Sequence, residues 1–440
     1  KDLLTFDGSP VSVGPNQTIK VKEAGKICVV GGGKAAAGFA AGLEHLFGSD
    51  RLHKHKVHGL VSVPEGCGIQ IDHIEVRETR NRTHNLPTDA VVQATHEMLE
   101  QLSVLKQEDL AFVLITGGAS ALLESPRTHI SLQSLVRLTK TLSHAGVDIQ
   151  TLNTIRCMTS SVKAGGFAKA CTAGRLIVLV LSDVLDNSLE VIGSGPCIPH
   201  IVDPLAIERI LLDSNISQDD RALLSESLYE YVRNHNVDSH HQIHSSDWIT
   251  PKGCRVTHLT LGTNALAVEA ASAASSALGY EIFSATTNTL SQTANTVGSR
   301  LATSLRTMAS PDTTKNCPKA LLEGGEATVH VPLNHGVGGR NQHTVVAAAN
   351  AILVDQKHEW PTDTLIASFG TDGEDGPTSA AGGFIDADVA KSLVSQPNCI
   401  ADAMSRCDSH ELLKSAGGLI ETGPTGTNVA DIRIVLTHPK

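Results

Sequence analysis

Aromatic side chains are scarce in this sequence, 3% of 440 residues with only two Trp and three Tyr. Set beside 38 Gly and 41% hydrophobic residues, that scarcity speaks against a β-sandwich and suits an Ala/Val/Leu/Gly-rich α/β protein. The same composition excludes the disordered, fibrous and coiled-coil classes. Positive charge is the scarcer sign: 35 Lys and Arg face 46 Asp and Glu, a formal net charge of −11. Without a basic excess the chain lacks what binding to a phosphate backbone requires, so nucleic acid is excluded as its main partner. An anionic substrate must then be held by a few local cations and backbone amides. The nine cysteines stand singly, with no CxxC pair and an odd count, which excludes a disulfide framework. Reduced thiols point to a reducing compartment, and a cytoplasmic protein is expected, with the mitochondrion as the alternative. No apolar run approaches the roughly 20 residues that cross a bilayer, so a soluble protein without a membrane partner is expected. The chain opens on Lys1 rather than Met, and its true start is expected to lie outside the sequence.

The length exceeds one ordinary core and predicts two domains, with room for a site between them. Short β-branched runs at 27–30, 112–115, 177–181 and 256–261 alternate with helical stretches at 35–47, 132–143 and 265–278. Apolar strands alternating with helices predict a buried parallel sheet, and the first half reads as doubly wound. Thr88 and Asp89 mark a helix start, and Gly279 closes the Ala-rich run. From about 214 to 250 the sequence turns polar and His-rich, so the domain boundary is expected there, giving domains 1–245 and 246–440. His240 and His244 are four residues apart but lie on no convincing helix, so a solvated linker is expected rather than a metal site. Strands at 327–331, 365–369 and 432–436 give a second, smaller α/β domain.

Five Gly-rich turns lie at or near strand ends: Gly31-Gly32-Gly33-Lys34, Thr116-Gly117-Gly118-Ala119-Ser120, Ser194-Gly195-Pro196, residues 336–341 and residues 371–376. Strand ends are where open α/β sheets bind ligands, and glycine lets successive N–H groups approach phosphate oxygens. A single such turn is most simply a tight bend; several, most carrying a polar or charged residue, favour a ligand. Lys34 stands where its ammonium can offset charge on a transferred phosphoryl group, although a surface Lys at a helix start is the plain alternative. Neither the GxxxxGK[ST] nor the GxGxxG spacing is present, since Cys28 and Ala35 occupy the key positions of the former. Asp183 ends an apolar strand, where it can accept a hydroxyl proton, hold Mg²⁺ or merely cap a turn. Asp372 and Asp375, with Glu326, offer hard oxygen ligands, in a pattern that is not an EF-hand. Arg340 has the planar fork that clasps carboxylate or phosphate, and Arg156 and Lys163 add two further cations, each as readily placed in a surface or salt-bridge role.

Taken in order, these motifs resemble the glycerate 2-kinase family, the class II glycerate kinases with a MOFRL-type C-terminal domain. The first half contributes Gly33-Lys34-Ala35-Ala36, the run TGGASALL from Thr116, Asn153-Thr154-Ile155-Arg156 with Ser160 and Lys163, Ser182-Asp183-Val184 and the run VIGSGP from Val191. The second contributes GGEAT from Gly324, GGRNQ from Gly338, TDGEDGPTSAA from Thr371 and GPTGTN from Gly423 with Asp431. The resemblance implies transfer of phosphate from ATP to D-glycerate with Mg²⁺, giving 2-phosphoglycerate. It implies a Rossmann-like doubly wound parallel sheet followed by a smaller α/β domain whose MOFRL-type region covers about 318–440, with the site between them. The catalytic positions it implies are Lys34, Asp183 and Arg340. Nucleotide binding is expected at Gly32, Gly33, Gly117, Gly118, Ser120, Ser194, Gly195, Glu326, Thr371 and Gly373, acceptor binding at Arg156, Lys163 and Asn341, and the metal at Asp372 and Asp375. A homodimer is held open as the assembly.

Departures from the family pattern bear on activity. Leu185-Asp186-Asn187 stand where the family has a residue, Gly and Asp; Thr116 replaces Ser, Ala119 Gly, Cys157 Lys and His343 Glu. The helical segment that precedes the first sheet strand in the family is expected to be missing. Two alternatives stay open: an NAD(P)-dependent hydroxypyruvate reductase, and a catalytically weakened descendant that binds nucleotide.

Overall fold

The computed structural model describes the chain except for residues 1–3, 7–9, 14–17, 21–24, 82–84, 145–146, 200–206, 208, 210, 212–215, 235–246, 288–291, 311–316, 357–358, 396 and 439–440. The His pair at 240 and 244, and the expected boundary at 245/246, fall on or beside this set. Two compact units result: Lys1–Leu181 with Asn187–Leu261, and Ser182–Asp186 with Gly262–Lys440. Among the described residues no helix is long and apolar enough to cross a membrane.

The first unit begins with a three-stranded antiparallel sheet, β1 (Leu4–Phe6), β2 (Pro10–Val13) and β3 (Thr18–Lys20). Its main sheet has seven strands: β4 (Ile27–Gly32), β5 (His58–Pro64), β6 (Ile74–Arg80), β7 (Leu110–Ile115), β8 (Arg175–Leu181), β9 (Asp247–Ile249) and β10 (Arg255–Gly262). The order is β6-β5-β4-β7-β8-β10-β9, with parallel pairing from β6 through β8 and β9 antiparallel on β10. This is the Rossmann order, which reverses direction between β4 and β7 and opens a crevice at their carboxyl ends. Every residue of β4 and β7 is buried, as strands covered on both faces must be. On one face Val29, Phe112, Leu114 and Ile177 pack against Ala36, Ala40 and Phe47 of the helix Ala36–Lys54, where the Phe47 and Phe112 rings lie 5.9 Å apart. The helix Asp89–Ser103 starts as expected, with the Thr88 hydroxyl accepting from Val91 N at 3.2 Å. Strand β10 joins this sheet, so the run 256–261 belongs to the first unit and the chain passes to the second after Leu261.

The second unit holds β11 (Glu281–Thr287), β12 (Gln292–Thr293), β13 (Lys319–Gly325), β14 (Ala327–Thr328), β15 (Thr364–Gly370), β16 (Gly382–Ile385), β17 (Leu419–Ile420) and β18 (Asp431–Thr437). Six of them form a sheet in the order β11-β13-β18-β15-β16-β17, in which only β11 and β13 run parallel. The strand expected over 327–331 shrinks to the two residues of β14, paired with β12. One face of the sheet, through Leu321, Ile366, Ile385 and Val435, carries the helices Ala294–Met308 and Arg340–Ala349. A Cβ at Gly298 would stand 2.4 Å from Thr344 O, so this glycine sets how closely the two helices approach. On the other face Ala320 and Leu322 meet Val268 of the helix Asn264–Ala277.

Candidate active site

In the first unit Gly32 of β4 lies opposite Ile115 of β7, so the turns that follow them run side by side. Thr116 N donates to Gly32 O at 3.3 Å, Lys34 N to Gly117 O at 2.9 Å, and Ala35 N to the Thr116 hydroxyl at 3.0 Å. Thr116 therefore supplies the hydroxyl that a Ser would. Gly33 has φ +139°, and a Cβ there would stand 2.0 Å from Thr116 Oγ1, so no other residue fits. The amides of Lys34 and Ala35 are spent on joining the two turns. The Lys34 stem passes beside Gly118: its Cγ lies 3.7 Å from the place of a Gly118 Cβ, and the Arg80 guanidinium lies 3.4 Å from the same place.

A second network ties three more of the expected motifs together. Ser120 Oγ lies 3.4 Å from Ser194 Oγ, Ser194 Oγ donates to Asn153 Oδ1 at 3.0 Å, and Arg156 Nη1 donates to the same oxygen at 3.3 Å. Ser194 sits between Gly193 and Gly195 with all three at φ +62°, a left-handed run that costs a non-Gly residue on the order of 1 kcal/mol. Burial pulls Arg156 below its ordinary pKa, against the field of Glu124. Lys163 is different. Its side chain is 0% exposed, and its ammonium donates to Ser120 O at 2.7 Å and Leu123 O at 2.8 Å. It braces the TGGASALL turn from beneath. Burial lowers its pKa to about 8 although Glu124 opposes the shift. Cys157 reaches Ser194 O from Sγ at 3.7 Å, and burial pushes its thiol up to about 12.

In the second unit Arg340 is the first residue of the helix Arg340–Ala349. Its Nε and Nη2 donate to the two carboxylate oxygens of Asp431, at 2.7 and 2.9 Å, and Nη2 also donates to Glu326 Oε1 at 2.7 Å. Asp431 is 1% exposed and anchors the fork from inside. Burial works against the guanidinium's charge, but Asp431 and then Glu326 outweigh it and hold its pKa above the ordinary value. Burial raises Glu326, Arg340 pulls it down, and Asp431 and Asp183 add to the rise, so Asp183 belongs to the same electrostatic cluster. With Asp375, which also acts on Arg340, the cluster has four carboxylates to one guanidinium. The sequence motif held Asp431, but nothing in spacing alone pairs it with Arg340.

Several expected contacts turn out to be internal. Both Asp375 oxygens are filled, Oδ1 by Asn341 N and Nδ2 at 3.0 and 3.3 Å, Oδ2 by Gln342 N and Nε2 at 2.8 and 3.0 Å. It caps the helix Arg340–Ala349 in place of a side chain at Gly339, and burial raises its pKa to about 6 in spite of these donors. Asn341, 1% exposed, spends its amide on Asp375 and takes the Ser368 hydroxyl at 2.5 Å, so it is not open to an acceptor. Thr371 joins its loop to the next one, donating from N and Oγ1 to Ala430 O and accepting from Val429 N. Gly373 has φ +82° with Gly423 O 2.0 Å from the place of a Cβ. Asp372 Oδ1 accepts from Glu374 N at 3.0 Å within that loop. His343, in the position of a family Glu, bonds Asn295 Oδ1 from Nε2 at 2.7 Å, and burial lowers its pKa. Asn187 takes the left-handed conformation, φ +56°, while Asp186, in the position of the family Gly, does not. Among the described residues no group of three or more His, Cys, Asp or Glu side chains is set to hold a metal ion.

A Rossmann-ordered sheet with interlocked glycine turns at its carboxyl edge, joined to a second unit built round a carboxylate-clamped arginine, defines the chain as an α/β enzyme of two units. Comparison with known proteins gives the family. A domain family of unknown function, DUF4147, matches residues 3–225, and the MOFRL family matches residues 319–431. A D-glycerate 2-kinase of Thermotoga maritima is 32% identical over 93% of this chain and 90% of its own length. A glycerate kinase of Mus musculus is 31% identical over 97% of this chain and 86% of its own. The crystal structure of a Thermotoga maritima glycerate kinase superposes with a TM-score of 0.76 at 31% identity, covering 94% of this chain and 92% of that one. The chain belongs to the glycerate kinase family with a MOFRL-type C-terminal region.

Proposed function

We propose that this chain transfers the terminal phosphate of ATP to a hydroxyl of D-glycerate, giving ADP and 2-phosphoglycerate, with Mg²⁺ as the divalent ion. The observation that supports this most is the match, over more than nine-tenths of the chain, to relatives named as glycerate kinases in a bacterium and a mammal. The reductase alternative has no comparable support, since the relatives reported above are named as glycerate kinases.

Phosphoryl transfer passes through a loose transition state, so positioning and charge compensation matter more than a strong base. Lys34 is assigned to the transferred phosphoryl group. Gly32, Gly33, Gly117, Gly118, Ser120, Ser194 and Gly195 are assigned to the nucleotide phosphates. Arg156, anchored through Asn153, is assigned to the acceptor carboxylate. Arg340 acts through its fork, which fixes Glu326, because two carboxylates already occupy the guanidinium. For Mg²⁺, Asp375 does not fit, since its oxygens are filled by N–H groups. Asp183 and Glu326 fit better: they are hard oxygen donors close enough for one to raise the other's proton affinity, and Mg²⁺ usually takes one or two carboxylates beside substrate phosphates. Bound there, the ion supplies positive charge to phosphate oxygens.

The kinetic test uses Lys34→Ala, Asp183→Asn and Arg340→Ala. Each is expected to lower kcat by about 100-fold or more while the protein stays folded. Wild-type turnover in all three would sink the assignment.

A further inference from the structure

We propose that Arg80 is the second cation of an anion clamp in the first unit, closing with Lys34 around Gly118 on an oxyanion of the substrates. The inference rests on the kinase reading and adds to it a residue outside every motif that carries the family resemblance. Arg80 is the last residue of β6, and it therefore stands at the carboxyl edge of a Rossmann-ordered sheet, where such sheets bind ligands. Its backbone is fixed there by Glu65 N, which donates to Arg80 O at 2.9 Å. The residue is 5% exposed, and Nη1 donates to Asn81 O at 3.1 Å, which orients the fork. Nη2 then lies 3.4 Å from the place of a Gly118 Cβ, and Lys34 Cγ lies 3.7 Å from that same place.

The two cationic side chains thus flank one glycine. Any side chain at position 118 would stand between them, and φ +82° at Gly118 disfavours one in any case. An oxyanion held by a guanidinium and an ammonium meets opposite charge from two sides. The amides of Lys34 and Ala35 are already used by Gly117 O and Thr116 Oγ1, so at these two positions an anion is met by the Lys34 side chain rather than by the backbone. A guanidinium is suited to this because its fork can hold two oxygens of a phosphate or carboxylate at once. Both substrates carry such a group: the nucleotide its phosphates, the acceptor its carboxylate.

The test uses Arg80→Gln and Arg80→Lys, with melting temperature as a check on folding. Binding of ADP and of adenosine is measured by calorimetry, and KM is measured for ATP and for D-glycerate. Loss of a charge-assisted contact is expected to weaken one anionic ligand by about 10- to 100-fold in Arg80→Gln, with adenosine binding unchanged and partial recovery in Arg80→Lys. A loss confined to ADP and ATP places a phosphate in the clamp; a loss confined to glycerate places the carboxylate there. Affinities within twofold of wild type for both anions would overturn the proposal, as would adenosine weakened as much as ADP. If Arg80→Gln does not fold, the same readouts on Arg80→Lys decide, since that variant keeps the charge and loses the fork. Failure of the wild-type protein to bind ADP at all would count against the kinase reading itself rather than against Arg80.

Discussion

At the scale of single residues, the second unit turns on the Asp431 carboxylate. Its two oxygens hold both Nε and Nη2 of Arg340, and the arginine in turn holds Glu326. Asp431→Asn keeps the shape and removes the charge, leaving a half-paired guanidinium. The expected outcome is a fall in kcat of about 10-fold or more together with a loss of about 2–3 kcal/mol in stability, read by kinetics and denaturant titration. Wild-type kcat in this variant would show that the fork need not be held. Lys163 gives a prediction in pH. Its folded pKa, about 8, lies below the ordinary 10.5, so between these values the unfolded chain binds more protons than the folded one. Stability contributed by this group must therefore rise with pH from about 8 to 10.5. Measured against Lys163→Met, wild type should gain on the order of 1–3 kcal/mol across that window. A flat difference would mean the ammonium is not desolvated.

At the scale of elements, the helix Arg340–Ala349 depends on a carboxylate from another loop. Gly339 offers no side chain to cap it, and Asp375 takes the N–H groups of Asn341 and Gln342 instead. Asp375→Ala should cost about 3 kcal/mol or more, because four buried donors, the backbone N–H and side-chain amide of both Asn341 and Gln342, lose this acceptor, and it should release Arg340 from its register. An unchanged denaturation midpoint would refute the cap. Much of the element pattern was legible beforehand. The apolar strands at 27–30, 112–115, 177–181 and 432–436 lie within observed strands because continuous β-branched runs leave few other options. The strand Ile74–Arg80 was missed, since a sequence of Glu, Arg and Thr between apolar residues gives little sign of a strand beside a buried one. With it went Arg80, whose only signal was its place at a strand end. The spacing of 371–376 suggested metal oxygens; it could not reveal that Asp375 points at a helix terminus, because that contact is made across 34 residues of sequence.

At the scale of the whole molecule, composition and strand–helix alternation were enough to give two α/β units, and the order of motifs was enough to give the family. The passage between units was harder to place, because a polar, His-rich stretch signals a loop but not which sheet the next strand joins; β10 joins the first. The charge distribution within each unit follows the proposed chemistry. Lys34, Arg80 and Arg156 lie in the first unit, while in the second Glu326 and Asp431 hold Arg340 and Asp183 acts on Glu326. The measurement that tests the account most directly is a coupled assay of ADP release from Mg-ATP with and without D-glycerate, with the product identified by NMR. ADP release that depends on glycerate, with a product phosphorylated at O2, is the expected result. ATP bound but no glycerate-dependent ADP, or oxidation of NAD(P)H with hydroxypyruvate in its place, would contradict it.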